Sequence, residues 1–348
     1  MIKETILKIV DGDNLTFSDA ESVMREIMIG NLSPIQIGAI LTALRSKGET
    51  IEEISAFARV MREFSHRIDC NRNNVLDTCG TGGAAIKTIN VSTTAAFVVA
   101  GIDVPVAKHG NRSVTSKSGS ADVLEYLGYN LKQKPKEVEQ TLNQCGICFM
   151  FAPTFHPAMK YAVAPRKELG IRTVFNILGP LASPAFAKTQ ILGVFKPELT
   201  EIMAKVLRNL GSGSALVVHG MDGLDEISSF GKTRVTELRN GKISTNYLLP
   251  EDFGIQTAKR SDIERFASAE ENAHNLVAIL NGEKGPLYDL TLINAAGAFK
   301  ASINLPFEDG VQLARESIES GRAYKKLREF LKVSSNNLEI LDTMEGQL

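Results

Sequence analysis

The chain has 348 residues, with 39 Lys and Arg against 40 Asp and Glu, 43% hydrophobic residues and no Trp. At roughly 150 residues per domain, that length suggests about two domains, and the composition excludes a disordered or fibrous protein. A formal charge of −1 excludes a broad nucleic-acid-coating surface, which needs surplus Lys and Arg, but leaves room for a small basic pocket. The longest strongly apolar stretch, residues 95–107, is interrupted by Asp103 and is too short to span a bilayer. The first ten residues lack the long apolar core of a signal peptide, and 4 Cys are too few for a disulfide scaffold. The expected setting is therefore a reducing cytoplasm, with no membrane and no nucleic-acid partner.

Residues 1–66 read as four short helices. Ser18 with Glu21, Ser33 with Gln36 and Thr50 with Glu53 each fit a capping box, in which a hydroxyl accepts the N3 amide proton and the N3 side chain reaches back. Pro34 falls at a first helical position, where its missing N–H is harmless. Apolar residues at Ile37, Ile40, Leu41 and Leu44, and at Ile54, Phe57, Ala58 and Met61, keep a 3.6-residue period. A helical domain this small, with apolar faces to cover, is a candidate dimerisation surface; its plain alternative is core packing.

After the polar stretch 69–74, short apolar runs at 75–78, 104–107, 149–152, 190–194 and 215–218 alternate with helical patterns. That alternation predicts an α/β domain with a central, mostly parallel sheet. Asn240-Gly241 between two further runs is a hairpin signal. Residues 307–333 return to helix.

Between the first strand and a helix starting near Asn90 lies Gly80-Thr81-Gly82-Gly83. Missing side chains and accessible positive φ let backbone N–H groups converge on an anion there, and the helix start adds its positive end. A dinucleotide reading fits poorly, because Asp103 precedes the second apolar run instead of closing it. A P-loop reading fails because Ile86 stands where Gly must precede Lys87-Thr88. Lys108-His109-Gly110-Asn111-Arg112-Ser113 and a polar loop through Ser116, Lys117, Ser118 and Ser120 follow the second strand, which suggests a local phosphate site. Asp225 and Glu226, after the strand at 215–218, form a natural Mg²⁺ arm beside such a site. Cys145 and Cys148 have CxxC spacing but no second pair, so they read as small buried residues.

In this order, Leu32-Ser33-Pro34, Gly80-Thr81-Gly82-Gly83, Asn90-Val91-Ser92-Thr93 and Lys108-His109-Gly110-Asn111-Arg112 resemble the anthranilate phosphoribosyltransferases. So do residues 164–170, residues 175–181 and Gly223-Leu224-Asp225-Glu226, and the resemblance covers nearly the whole chain. It implies transfer of a phosphoribosyl group from phosphoribosyl pyrophosphate to anthranilate, Mg²⁺, and a homodimer built on a helical domain. The implied fold is α/β and nucleoside-phosphorylase-like, with a helical N-terminal domain over 1–68 and a catalytic α/β domain over 69–348. By the same resemblance, the donor is held by Gly80, Thr81, Gly82, Gly83, Thr88, Asn90, Val91, Ser92, Thr93, Lys108 and Ser120. Anthranilate is held by Gly80, His109, Asn111 and Arg166, and the metal by Ser92, Asp225 and Glu226. Lys108, Arg112, Lys117 and Arg166 are expected to face the anionic substrates. His109 is at most an assisting base, because an aryl amine is neutral at pH 7 and has a free lone pair. Ala84 stands where the family has Asp, so altered Mg²⁺ dependence is expected. Related pyrimidine-nucleoside phosphorylases, and relatives that bind nucleic acid, are the alternatives. The first call for a basic-Ser loop and the second for a basic groove, and neither is evident.

Overall fold

The computed structural model describes residues 2–113 and 117–346, so Ser116 of the polar loop lies outside the described residues. Helices α1 (Ile2–Val10), α2 (Phe17–Met28), α3 (Pro34–Lys47) and α4 (Ile51–Glu63) fill the N-terminal stretch. The boxes at Ser33 and Thr50 form as expected. The one at Ser18 does not, because Thr16 accepts the Asp19 amide proton at 3.1 Å. Starting α2 there places Phe17 in the helix, packed on the apolar cluster beneath it.

Seven strands form one sheet: β1 (Leu76–Gly80), β2 (Val106–Gly110), β3 (Ile147–Phe151), β4 (Thr189–Gly193), β5 (Ser214–Gly220), β6 (Thr233–Arg239) and β7 (Lys242–Leu248). Their order is β3-β2-β1-β4-β5-β6-β7. The first five strands run parallel, and β6 and β7 are antiparallel. Asn240 and Gly241 join β6 to β7 with φ of 50° and 77°, as a type I′ turn demands. Strand order reverses between β1 and β4. The carboxyl ends flanking such a reversal form the crevice in which open α/β sheets bind ligands.

The remaining helices are α5 (Val91–Ala100), α6 (Ser120–Tyr126), α7 (Pro135–Cys145), α8 (Ala152–Phe155), α9 (Lys160–Leu169), α10 (Phe175–Leu178) and α11 (Leu199–Asn209). After the hairpin come α12 (Arg260–Ile263), α13 (Ala269–Leu280), α14 (Pro286–Ile303), α15 (Phe307–Glu319), α16 (Arg322–Ser334) and α17 (Glu339–Glu345). Alternate strand residues feed two cores. Leu216 and Val218 join α5, α13, α14, α15 and α16 on one face. Ala215 and Val217 join α1–α4, α10 and α11 on the other. The N-terminal helices thus share an apolar cluster with the sheet, and α9 and α10, from the stretch between β3 and β4, pack among them. A buried carboxylate ties this layer together: Glu53 accepts from the Leu15 and Thr50 amides, both at 2.8 Å, and from Lys47 Nζ at 3.0 Å. Among the described residues no helix is long and apolar enough to cross a membrane.

Candidate active site

A cavity of about 390 Å³ opens at the carboxyl ends of β1 and β2, and both the glycine loop and the Asp225-Glu226 loop line it. Gly82 and Gly83 sit at φ of 64° and 80°, so the loop can turn its backbone toward the cavity. Gly193, paired with Gly80 in the sheet, is required for a different reason. A Cβ there would stand 1.7 Å from the Asp225 carbonyl, so a side chain at 193 would displace the acidic loop. Asn90 stands at the N-cap position of α5 without a side-chain capping bond, and the first residues of the helix, Val91, Ser92 and Thr93, line the cavity and present its positive end to it.

Lys108 and His109 were expected just after β2, yet the strand runs through both and buries them. Lys108 Nζ donates to the Thr78 carbonyl at 2.5 Å and to Ser92 Oγ at 3.1 Å. Burial pulls its pKa below that of a free lysine, and Asp77 opposes the shift. Asp225 and Glu226 are both pushed upward. Burial is the main cause, and repulsion from Asp225 adds to it at Glu226, which is driven to about 8. Glu226 accepts the Ser92 main-chain N–H, which brings the three residues expected to hold the metal together. Two adjacent buried acids that repel each other, beside a hydroxyl, suit a divalent cation that takes its remaining oxygens from substrate and water. No cluster of three or more His, Cys, Asp or Glu suited to a metal occurs among the described residues, so the protein alone does not enclose one.

On another part of the wall sit Arg166, Phe175, Gly179 and Pro180, with His109 and Asn111. The Arg166 guanidinium lies over the Phe175 ring, 5.2 Å from its centroid, and makes no ion pair or hydrogen bond with the described residues. Desolvation alone lowers its pKa. A half-buried, unpaired guanidinium is a ready partner for a carboxylate. His109 Nδ1 lies 3.2 Å from the Gly179 carbonyl, which only accepts, so Nδ1 carries the proton and Nε2 is a bare acceptor. Burial, reinforced by His156 at a ring-centroid distance of 5.1 Å, holds His109 neutral with a pKa near 3. Thr88 Oγ1, Asn90 Oδ1, Thr93 Oγ1 and His109 Nε2 line the cavity buried and without a hydrogen-bond partner among the described residues. Unmet buried polar atoms of this kind are costly unless a ligand or water satisfies them.

Comparison with known proteins places the chain in a family. Residues 3–65 match a sequence model described as "Glycosyl transferase family, helical bundle domain", and residues 72–324 match "Glycosyl transferase family, a/b domain". The anthranilate phosphoribosyltransferase of Acetivibrio thermocellus is 51% identical over 97% of each chain. That of Symbiobacterium thermophilum is 49% identical over 94% of this chain and 97% of its own. The chain belongs to the anthranilate phosphoribosyltransferase family. Within that family, the Thermus thermophilus crystal structure superposes with a TM-score of 0.89 at 42% identity, over 94% of this chain and 98% of the other. The Saccharomyces cerevisiae enzyme, solved in complex with PRPP and Mg, gives 0.89 at 31% identity, over 97% and 98%.

Of the residues that the family resemblance implies, Gly80, Thr81, Gly82, Gly83, Thr88, Asn90, Val91, Ser92, Thr93, Lys108, His109, Asn111, Ser120, Arg166, Asp225 and Glu226 all line the one cavity. Two expected cations are placed differently. Arg112 reaches the wall, but its guanidinium pairs with Asp122 at 2.8 Å and Glu125 at 2.7 Å, so its charge is already matched. Lys117 is exposed and is not part of the lining. In their place stand Lys87 and Arg172, whose role the sequence did not reveal. Arg172 lies 4.2 Å from the Phe195 ring centroid and donates to the Gly83 carbonyl at 2.8 Å, pinning the glycine loop. A lone Arg two residues past a helix-ending Gly carries no signal that chain order alone could expose. Cys145 and Cys148 are free, buried thiols, as expected.

Proposed function

We infer that the chain transfers the phosphoribosyl group of phosphoribosyl pyrophosphate to the amine of anthranilate, releasing pyrophosphate, as a step of tryptophan biosynthesis. What carries this reading is one cavity that combines a glycine loop, a helix N-terminus and paired acids with an unpaired Arg166. The first group suits a metal-bound pyrophosphate and the second a carboxylate. Asp225, Glu226 and Ser92 would hold Mg²⁺, which when bound would supply charge neutralisation for the departing pyrophosphate. Displacement at the anomeric carbon develops positive charge on the ribose and negative charge on the leaving group. Lys108 and the loop amides stabilise that leaving group from fixed positions. The Thr88, Asn90 and Thr93 oxygens are available to hold donor hydroxyls or ordered water. Arg166 grips the carboxylate through its planar fork and aims the amine at the ribose, so orientation carries much of the rate. His109 Nε2, neutral and unprotonated, accepts an N–H of that amine without acting as a strong base.

We also propose a homodimer through the helical layer. Leu7 and Val10 on α1, Ile35 on α3 and Val163 on α9 are exposed apolar residues on helices that pack side by side. Ile35 is 84% exposed, which a monomer gains nothing by. A cytoplasmic setting follows from the substrates and the reduced thiols.

The activity is tested by following anthranilate fluorescence with phosphoribosyl pyrophosphate and Mg²⁺, each also omitted in turn. Consumption that requires both is expected. Folded protein that consumes no anthranilate would overturn the reading.

A further inference from the structure

We propose that Gln190 and Arg62, neither of which touches a substrate, are positioning residues for the acceptor side of the site, acting through the turn Gly179–Leu181. This inference rests on the function proposed above. The turn is a single stretch of 3₁₀ helix whose internal bond runs from the Ala182 amide to the Gly179 carbonyl at 3.2 Å, so most of its carbonyls need partners from elsewhere. Four consecutive carbonyls accept from side chains in four different parts of the fold. Gly179 is held by His109 Nδ1 of β2 at 3.2 Å, and Pro180 by Gln190 Nε2 of β4 at 2.6 Å. Leu181 is held by Arg62 Nε of α4 at 2.6 Å, and Ala182 by His156 from the segment between α8 and α9. All four donors are buried.

Gly179 and Pro180 line the cavity beside Arg166, Phe175 and Asn111, so where this turn stands sets the width of the acceptor slot. Its anchorage also sets the chemistry of His109. Because the Gly179 carbonyl takes the Nδ1 proton, Nε2 is left as the acceptor facing the cavity. Gln190 is linked as well to the His109 backbone, through Asp77. Its amide also lies 3.3 Å from Asp77 Oδ2, and Asp77 Oδ1 accepts the His109 main-chain N–H at 3.1 Å. Arg62 ties the turn to the helical layer, and its Nη1 reaches the Leu210 carbonyl at the end of α11, at 3.3 Å. Loss of either donor loosens a carbonyl of the turn and lets the acceptor side of the wall move. Gln190 Nε2 also lies 2.9 Å from Cys79 Sγ on β1, which leads into the glycine loop, whereas the Arg62 side chain bonds only the Leu181 and Leu210 carbonyls among the described residues, so the Arg62 variants isolate the turn.

The test is steady-state kinetics of the full chain with Gln190→Leu, read as separate KM values for the two substrates. The anthranilate KM is expected to rise about tenfold, with the phosphoribosyl pyrophosphate KM held within about twofold. An unchanged anthranilate KM, or a fall in kcat alone with both KM values unchanged, would overturn the proposal, because a purely structural role lowers the folded fraction without moving a KM. Arg62→Met and Arg62→Lys form the second arm and serve alone if Gln190→Leu does not fold. Lys keeps a cationic donor and should restore the anthranilate KM to within about threefold of wild type, whereas Met should not. Equal KM values in the two Arg62 variants would also overturn it. A wild type inert toward anthranilate defeats the proposed function itself; an active wild type with unresponsive variants defeats only the positioning role.

Discussion

Arg166 shows how much a single residue's surroundings decide. An exposed arginine would be unremarkable, but this one lies on Phe175, half-buried, with no acid to match it. Arg166→Lys keeps the charge and loses the planar fork, so the anthranilate KM should rise at least about tenfold with little change for the donor. Equal effects on both substrates would contradict that division of labour. Ala84 presents the opposite case, a missing carboxylate in the cavity wall beside the glycine loop. Titrating activity against Mg²⁺ should give a higher half-saturating concentration in wild type than in Ala84→Asp, and superimposable curves would refute the expectation. Most of the site was legible in the sequence because its residues come in short runs at strand ends, where Gly, hydroxyl and basic residues together have few other uses. Arg172, Gln190 and Arg62 were not legible, since each works alone and from far along the chain. Arg112 misled for the same reason, because its partners Asp122 and Glu125 lie on the next helix.

Among the elements, the N-terminal helices were readable from their caps, and the structure adds what joins them. Glu53 caps α4 and also receives Leu15 and Lys47, with none of its side chain exposed. Glu53→Ala leaves the Leu15 and Thr50 amides without their acceptor and removes the only carboxylate paired with Lys47 among the described residues. The Lys47 ammonium keeps Asn14 and the Gly48 carbonyl, so the substitution should cost about 3 kcal/mol. Ser33→Ala removes one exposed cap bond and should cost about 1 kcal/mol. Urea unfolding of both variants checks the order, and equal losses would mean that the buried pair adds nothing beyond its cap. The parallel strands were legible to within a few residues as short apolar runs, because helices cover both faces of the sheet and nearly every position on them is buried. α14 was not: eighteen residues packed on nearly every side leave no polar stripe and therefore no helical period to detect.

For the molecule as a whole, the buried imidazoles predict how stability follows pH. His109 and His156 are held near 3 and near 4, mainly by burial, against about 6.5 in the unfolded chain. Their folded pKa values are lowered, so the unfolded state binds more protons in between. Their contribution is complete above about pH 6.5 and is lost as pH falls toward 4. Asp77, raised to about 6 by burial, titrates in the same window with the opposite sign. The comparison that isolates the histidine is therefore wild type against His156→Gln. The wild-type urea midpoint should fall more between pH 7.5 and pH 5, and parallel curves would contradict the assignment. Assembly offers a second check at this scale. Ile35→Asp should convert a dimer into a monomer in sedimentation without loss of helix content, and an unchanged sedimentation coefficient would place the interface elsewhere.

The descent of residues 152–181 into the helical layer has an evolutionary consequence. Arg166, Phe175, Gly179 and Pro180 all come from this one excursion between β3 and β4, while the acidic arm and the glycine loop rise directly from the sheet. Donor chemistry and acceptor choice are therefore inherited on largely separate stretches of chain. Arg172 ties the two stretches together: it belongs to the excursion yet holds the Gly83 carbonyl, so a change of nucleophile written into these residues keeps the donor loop in place only if that arginine is kept.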